Sequence, residues 1–469
     1  MTTHYVRPRL GPRLSFLFCR FCFAGFSAGR VTGGFLLCSG AAMFESNPMS
    51  DPTYLDQVDP LARFRREFHL PHGQIYLDGN SLGLLSRRAE ASLLRAIDQW
   101  RTLGISGWTE AVPPWLTLAD ISAEKLAPLL GAAPDAVCVT GQTTANLHQL
   151  LSTLFDPTHR TRRVILGDAL NFASDTYALQ SHLRLRGFDP ATHLRLVPSA
   201  DGRTLHYADI IAGFTPDVQL AVLPAVLFTS GQLLDLALLT REAHARGMLI
   251  GFDCSHSIGA VPHSLDRDDV DFAIWCNYKW LNAGPGGVGG LFLNRRHFGQ
   301  TPGLAGWWGV RPDRRFAMSP QHEPAAGAAS LHVGTPHILS LAPLLGSLEL
   351  IAEAGGIVAL RAKSLAQTGF LMKRIDAELA AFGVSIATPR EAAERGGHVA
   401  VAHPDAWRIC QALRAAGVVP DFRHPDLIRL SPSPLYTSYA DCAEAVARLK
   451  QILLNRVYET FPAAPALVP

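Results

Sequence analysis

The chain has 469 residues, 48% of them hydrophobic and 17% charged. That length fills two ordinary domains with a large buried core, and that composition excludes a disordered chain. With 42 Lys and Arg against 40 Asp and Glu, the formal net charge of +2 offers no field for nucleic acid or another polyanion.

The first 44 residues contain no Asp or Glu but carry Arg7, Arg9, Arg13, Arg20 and Arg30, with an aromatic cluster over 16–26. Arg20 interrupts that cluster, which is too short to cross a bilayer. Residues 1–42 read as an extension, either an upstream start or a targeting segment, and the fold is expected to begin near Met43. Residues 43–105 are expected to join a small C-terminal domain. From residue 137 onward, short apolar runs alternate with helical stretches. The runs cover 136–139, 163–168, 194–199, 218–228, 248–253, 271–275 and 289–294. Between them, 145–155 and 238–247 are apolar at helical spacing. This alternation predicts an α/β large domain over 106–335, built on a mostly parallel seven-stranded sheet covered on both faces. From residue 336 the chain is expected to form a smaller α+β domain, over 336–469. It has a helix over 364–383, extended runs at 398–403, 418–423 and 427–432, and a last helix opened by the capping box Ser438–Asp441.

The most informative stretch is 252–294. The run 248–253 ends in Asp253, with His256 three residues on. The run 271–275 delivers Tyr278 and Lys279 into a glycine-rich turn. Desolvation beside Tyr278 and Trp280 disfavours an ammonium, and a partly neutral lysine can form a Schiff base with an aldehyde cofactor. An acid at a neighbouring strand end can keep a pyridinium nitrogen protonated, which pyridoxal phosphate needs to act as an electron sink. Both groups fall at the carboxyl ends of strands, where ligands of such sheets sit.

Other segments take meaning from that lysine. GQTTANLH (141–148) opens a helix and would alone be an ordinary Thr cap; near a cofactor lysine, Thr143 and Thr144 suit a phosphate. In NFASD (171–175), Phe172 can stack on an aromatic cofactor and Asp175 can bond its ring substituent. GPGGVGG (284–290) precedes a strand, so it is not a dinucleotide fingerprint; its glycines let the backbone pass close to a ligand. Trp307 and Thr335 lie in loops from which a phosphate is in reach. Arg429 lies on a strand and can clamp a carboxylate in a fork. Eight cysteines show neither zinc-ligand nor disulfide spacing, so reduced thiols in a cytoplasmic protein are expected, and no metal is assigned.

Together these segments resemble the kynureninases, pyridoxal-phosphate enzymes of fold type I. The resemblance runs from about Asp51 to the last helix. It is carried by YLDGNSLGLL (76–85), TTANLH (143–148), FASD (172–175), GFDCSHSIGAV (251–261), WCNYKWLNAGPGG (275–287), GWWG (306–309) and IRLSPSPLY (428–436). It implies hydrolytic Cβ–Cγ cleavage of L-kynurenine, or its 3-hydroxy derivative, in tryptophan degradation or NAD precursor synthesis. It implies that Lys279 is the Schiff-base lysine, that Asp253 partners the pyridine nitrogen, and that Tyr278 shuttles a proton. Thr143, Thr144, Phe172, Ala173, Ser174, Asp175, His256 and Tyr278 match cofactor-contacting positions. Trp307 and Thr335 match positions that reach the phosphate from a second subunit, implying a homodimer with a shared site. Arg429 and Ser81 match the substrate side. Pro224 stands where the family tends to have a hydroxyl, and offers neither N–H nor O–H. The rival on the same fold is a cysteine desulfurase, which needs a nucleophilic cysteine beyond the lysine; none lies between Cys276 and Cys410. A non-catalytic binding protein would be expected to have lost Lys279 or Asp253.

Overall fold

Each of the seven apolar runs forms a strand in the computed structural model, which describes residues 51–463. The N-terminal extension expected over 1–42 lies outside the described residues. After β1 (Ile75–Tyr76) come β2 (Val137–Cys138), β3 (Val164–Asp168), β4 (Leu194–Val197), β5 (Val218–Pro224), β6 (Leu249–Asp253), β7 (Phe272–Cys276) and β8 (Gly289–Leu293). Strands β2 to β8 make one sheet in the order β2-β8-β7-β6-β5-β3-β4. Its pairs from β4 through β7 are parallel, and β8 runs antiparallel to both β7 and β2.

Every residue of β3, β5, β7 and β8 is buried, because alternate side chains enter two separate cores. Leu166, Leu223, Trp275 and Phe292 pack with helices Leu118–Leu130, Leu236–His244 and Ile338–Glu353. Ile165, Val222, Ile274 and Leu291 pack on the other face with helices Thr143–Leu154 and Ala173–Leu185. Each such side chain contributes about 1.5–3 kcal/mol on burial, and a one-residue slip would exchange the two sets.

A second, antiparallel sheet has the order β12 (Asp421–Arg423), β13 (Leu427–Leu430), β10 (Val399–Ala402), β9 (Ser385–Ile386). Helices Gly356–Leu379, Ala406–Ala415 and Tyr439–Leu454 cover it around their own core. The early chain is tied to this region. Strand β1 pairs in parallel with β11 (Val418–Val419). Asp56 accepts from the Tyr439 and Ala440 amides at 2.7 and 3.0 Å, and buried Lys363 meets Asp59 at 2.7 Å. The Ser438–Asp441 capping box forms as the sequence predicts.

Two runs end differently from their sequence pattern. The run 418–423 splits at Pro420 into β11 and β12, which belong to different sheets, because proline has no N–H for a continuous ladder. The run 218–228 stops being strand at Pro224. Beyond it, Ala225 donates to the Asp253 carbonyl at 2.8 Å, and Leu227 donates across a turn to Gln232. No single helix among the described residues is long and apolar enough to cross a membrane.

Candidate active site

Because β3, β5, β6 and β7 are parallel, their carboxyl ends share one edge. In register, Pro224 on β5 pairs with Asp253 on β6, and Asp253 with Ile274 on β7. A cavity of about 420 Å³ opens at that edge. Its lining includes Thr143, Thr144, Phe172, Ser174, Asp175, Asp253, His256, Tyr278 and Lys279, all singled out from sequence.

Lys279 is held there by its neighbours. Past β7, the Asn277 side chain donates to the Val288 carbonyl at 2.6 Å and accepts from Trp275 Nε1 at 2.9 Å. The Gly83 amide donates to the Tyr278 carbonyl at 2.8 Å, and a Cβ at Gly83 would run into the Lys279 carbonyl. The segment 76–85 is therefore the support against which the lysine turn packs. Lys279 Nζ lies 2.9 Å from His256 Nε2. Burial, followed by the Lys279 charge, holds the His256 imidazole far below its ordinary value, so it stays neutral and its Nε2 faces the lysine nitrogen as an acceptor.

Asp253 Oδ1 accepts from the Ser255 amide at 2.8 Å. Asp175 is buried beside Asp253. Burial first, and then the Asp253 charge, push the Asp175 carboxyl well above the usual carboxylate range. Asp175 Oδ2 and His256 Nδ1 are both buried with no partner. Buried orphans of this kind mark a place for a ligand. Burial and the Cys276 thiol push the Tyr278 phenol up, so Tyr278 is a neutral donor near pH 7.

At the other end of the cavity, the N-termini of helices Thr143–Leu154 and Ala173–Leu185 come together, linked by Thr144 Oγ1 and Ser174 Oγ at 2.6 Å. First-turn amides and hydroxyls there suit an anion. Gly286 and Gly287 close the wall, Gly286 in the left-handed region at φ 64°. Phe172 is 48% exposed, and its ring stands edge-on to Phe228 at 5.5 Å.

Some expected residues sit elsewhere. Ala173 opens its helix without lining the cavity. Pro224 does line it, presenting only its ring. Arg429 is buried behind the wall: it is ion-paired to Asp421 and donates to the Phe228 carbonyl and, at 3.0 Å, to Ser81 Oγ. Trp307 and Thr335 are exposed and line two other depressions. Sequence reasoning passed over Gln142, Asn171, Val226, Phe228 and Ser255, which also line the cavity. Gln142 and Ser255 lie inside motifs already singled out, whereas Val226 and Phe228 were hidden in an apolar run.

A primary amine, an acid at a strand end, two open polar atoms and paired helix N-termini fit pyridoxal phosphate: aldehyde, ring nitrogen, ring substituent and phosphate each have a counterpart. Among the described residues a desulfurase nucleophile has none. The described cysteines, Cys138, Cys254, Cys276, Cys410 and Cys442, are all buried, and burial pushes the Cys254 thiol up to about 12.

Known proteins agree with this chemistry. A sequence model of the kynureninase C-terminal domain matches residues 360–449. A kynureninase of Geobacillus thermodenitrificans is 53% identical over 407 residues, 87% of this chain and 95% of its own length. One of Bacillus anthracis is 51% identical over 415 residues, again 87% of this chain and 96% of its own. Among solved structures, a cysteine desulfurase from Thermococcus onnurineus superposes with TM-score 0.70 at 17% identity, covering 84% of this chain and 98% of that one. A mutant of the cystine C-S lyase C-DES, with glycine linked to its PLP cofactor, superposes with TM-score 0.69 at 20% identity, over 82% and 98% of the two chains. Those structures share the fold-type-I architecture. Identity near one half along almost the whole of the curated relatives goes well beyond a shared fold, and the chain belongs to the kynureninase family of pyridoxal-phosphate-dependent hydrolases.

Proposed function

We propose that this cavity hydrolyses the Cβ–Cγ bond of L-kynurenine, giving anthranilate and L-alanine. The observation that carries the reading is the Lys279 side-chain nitrogen held 2.9 Å from a neutral, buried His256, in the cavity that the strand-end Asp253 also lines. Pyridoxal phosphate, when bound, supplies an electron sink for charge that develops at the substrate Cα. Lys279 would carry the cofactor and, when its amine is free, would accept the Cα proton. Asp253 would keep the ring nitrogen protonated, while Asp175 and His256 have open atoms that would serve the ring. Thr143, Thr144 and Ser174 would hold the phosphate at the two helix N-termini. Arg429 with Ser81, held behind the Phe228 wall, would take the substrate α-carboxylate, and Tyr278 would deliver a proton to the alanine carbon as the γ-ketone is cleaved by water.

The active unit in this reading is a cytoplasmic homodimer acting on a small amino acid. Trp307 and Thr335 then reach toward a partner subunit's phosphate site. Their exposure, together with that of Leu304 (45%) and Val333 (47%) on the same segments, supports such an interface. The choice between L-kynurenine and its 3-hydroxy form depends on a few pocket contacts worth about 1–3 kcal/mol.

The test is anthranilate fluorescence after L-kynurenine is added to the purified, pyridoxal-phosphate-loaded protein. Prompt anthranilate with matching alanine supports the reading. Silence, with the visible absorbance of lysine-bound cofactor intact, moves the function to another amino acid, first 3-hydroxykynurenine and then L-cysteine.

A further inference from the structure

The Arg429 side of the site gathers more buried charge than one carboxylate ligand requires. Arg429 on β13 and Asp421 on β12 are register partners and form an ion pair, and Arg423 Nε donates to the same Asp421 oxygen at 2.9 Å. Asp78 runs alongside. It bridges to Ser431, two residues beyond Arg429, and the Ser431 amide donates to the Leu77 carbonyl at 2.8 Å. The titratable and charged groups facing Asp78 are Tyr76 from β1, Asp421 and Arg423 from β12, and Arg429 from β13. Cys410 from helix Ala406–Ala415 and Tyr436 from the loop after β13 complete the set.

Among the described residues, Asp78 Oδ1, both amide atoms of Asn80, Arg429 Nε and Ser431 Oγ are buried without a partner. Asn80 and Ser431 are fully enclosed. Unpaired polar atoms on two adjacent segments leave hydrogen-bonding capacity for a further polar group beside Arg429. With both acids ionised, the two arginines and two aspartates are already balanced. A docked carboxylate would leave one uncompensated negative charge where water is largely excluded.

We propose that Asp78 is a positioning residue for the substrate carboxylate, taking up a proton from solvent as that carboxylate docks on Arg429 and so keeping the cluster neutral. The inference rests on the reading of Arg429 given above. Burial, and next the Asp421 charge, already push the Asp78 carboxyl up to about 6, against the lowering effect of Ser81, Arg429 and Arg423. An added anion acts in the same direction as Asp421. Above that value the proton must be captured on binding, so affinity for a carboxylate falls as pH rises, by up to about tenfold per unit. An asparagine at 78 needs no proton and removes the slope.

The experiment titrates L-alanine into the pyridoxal-phosphate-loaded protein by calorimetry, in buffers of different ionisation enthalpy, from about pH 6 to 8. Proton changes at Lys279 are common to wild type and Asp78→Asn, so their difference isolates Asp78. Wild type is expected to take up more protons than the variant, by about one at most, and to lose affinity more steeply with pH. Equal uptake and equal slopes overturn the proposal. Asp421→Asn leaves the cluster one charge more positive and should also lose the uptake near pH 7; retained uptake there overturns it independently, even where Asp78→Asn does not fold. Arg429→Gln should bind L-alanine at least tenfold more weakly; unchanged binding removes the carboxylate reading of Arg429, and this inference falls with it.

Discussion

Two buried acids at opposite edges of the seven-stranded sheet have opposite fates. Asp271, at the amino end of β7 and wholly buried, is saturated by the protein. It accepts from the Ile250 amide at 2.8 Å and meets His244 Nε2 at 2.9 Å and His297 Nε2 at 2.8 Å. Asp175, at the carboxyl edge and just as enclosed, keeps Oδ2 unpaired beside Asp253. Burial is common to both, so burial alone does not distinguish them. The difference lies in what meets the carboxyl group. At the amino edge, loops and helix ends close over the acid, whereas the carboxyl edge leaves its polar atoms open for a ligand.

The sharpest way to break this contrast is to remove one acid from each edge. Asp253→Asn should lower kcat/KM by about 10²–10⁴-fold while the melting temperature holds or rises, since a buried acid beside Asp175 is relieved. Asp271→Ala should do the reverse. It strands two histidines and an amide, removing about 3–5 kcal/mol of stability by denaturant titration, with kcat of the folded fraction unchanged. Loss of activity without loss of stability in Asp271→Ala would erase the distinction.

Acid titration sharpens it further. His182, His263 and His332 are each held down to about 4 by burial. Their native forms refuse protons that the unfolded chain accepts below about 6.5, so stability should fall as pH drops from about 6.5 toward 4. Asp168, at the carboxyl end of β3, is pushed up to about 7 by burial and works the other way. Its native form binds a proton that the unfolded chain releases above about 4, so it favours the native state more as pH falls from about 7 to 4. Asp168→Asn should therefore steepen the acid loss seen in melting temperature. An unchanged slope would contradict the assignment. The smallest effect belongs to the phosphate end. Thr144→Val removes one hydroxyl, about 1 kcal/mol, and should weaken cofactor affinity about fivefold in a fluorescence titration.

The sequence showed the sheet clearly because β3, β5, β7 and β8 are buried on both faces and must be apolar throughout. It showed Asp253, Tyr278 and Lys279 because polar residues that end apolar runs stand out against them. It was silent where partners are distant along the chain. Nothing local in 76–85 says that Gly83 packs on the Lys279 carbonyl, or that Asp78 shares a cluster with Asp421 and Arg429. Arg429 read as a strand arginine able to clamp a carboxylate. Its partner Asp421 became visible only once β12 and β13 were in register. Val226 and Phe228 were masked by their own hydrophobicity, which suits a strand and a cavity wall equally.

The chain has five lysines, Lys125, Lys279, Lys363, Lys373 and Lys450, and the proposed cofactor attachment is to Lys279 alone. Borohydride reduction of the pyridoxal-phosphate-loaded protein, followed by peptide mass spectrometry, tests this most directly. The label is expected on Lys279 alone, and on no residue in Lys279→Ala. A pyridoxyl group on any other lysine, or a Lys279→Ala protein that still takes up label stoichiometrically, would contradict the central claim.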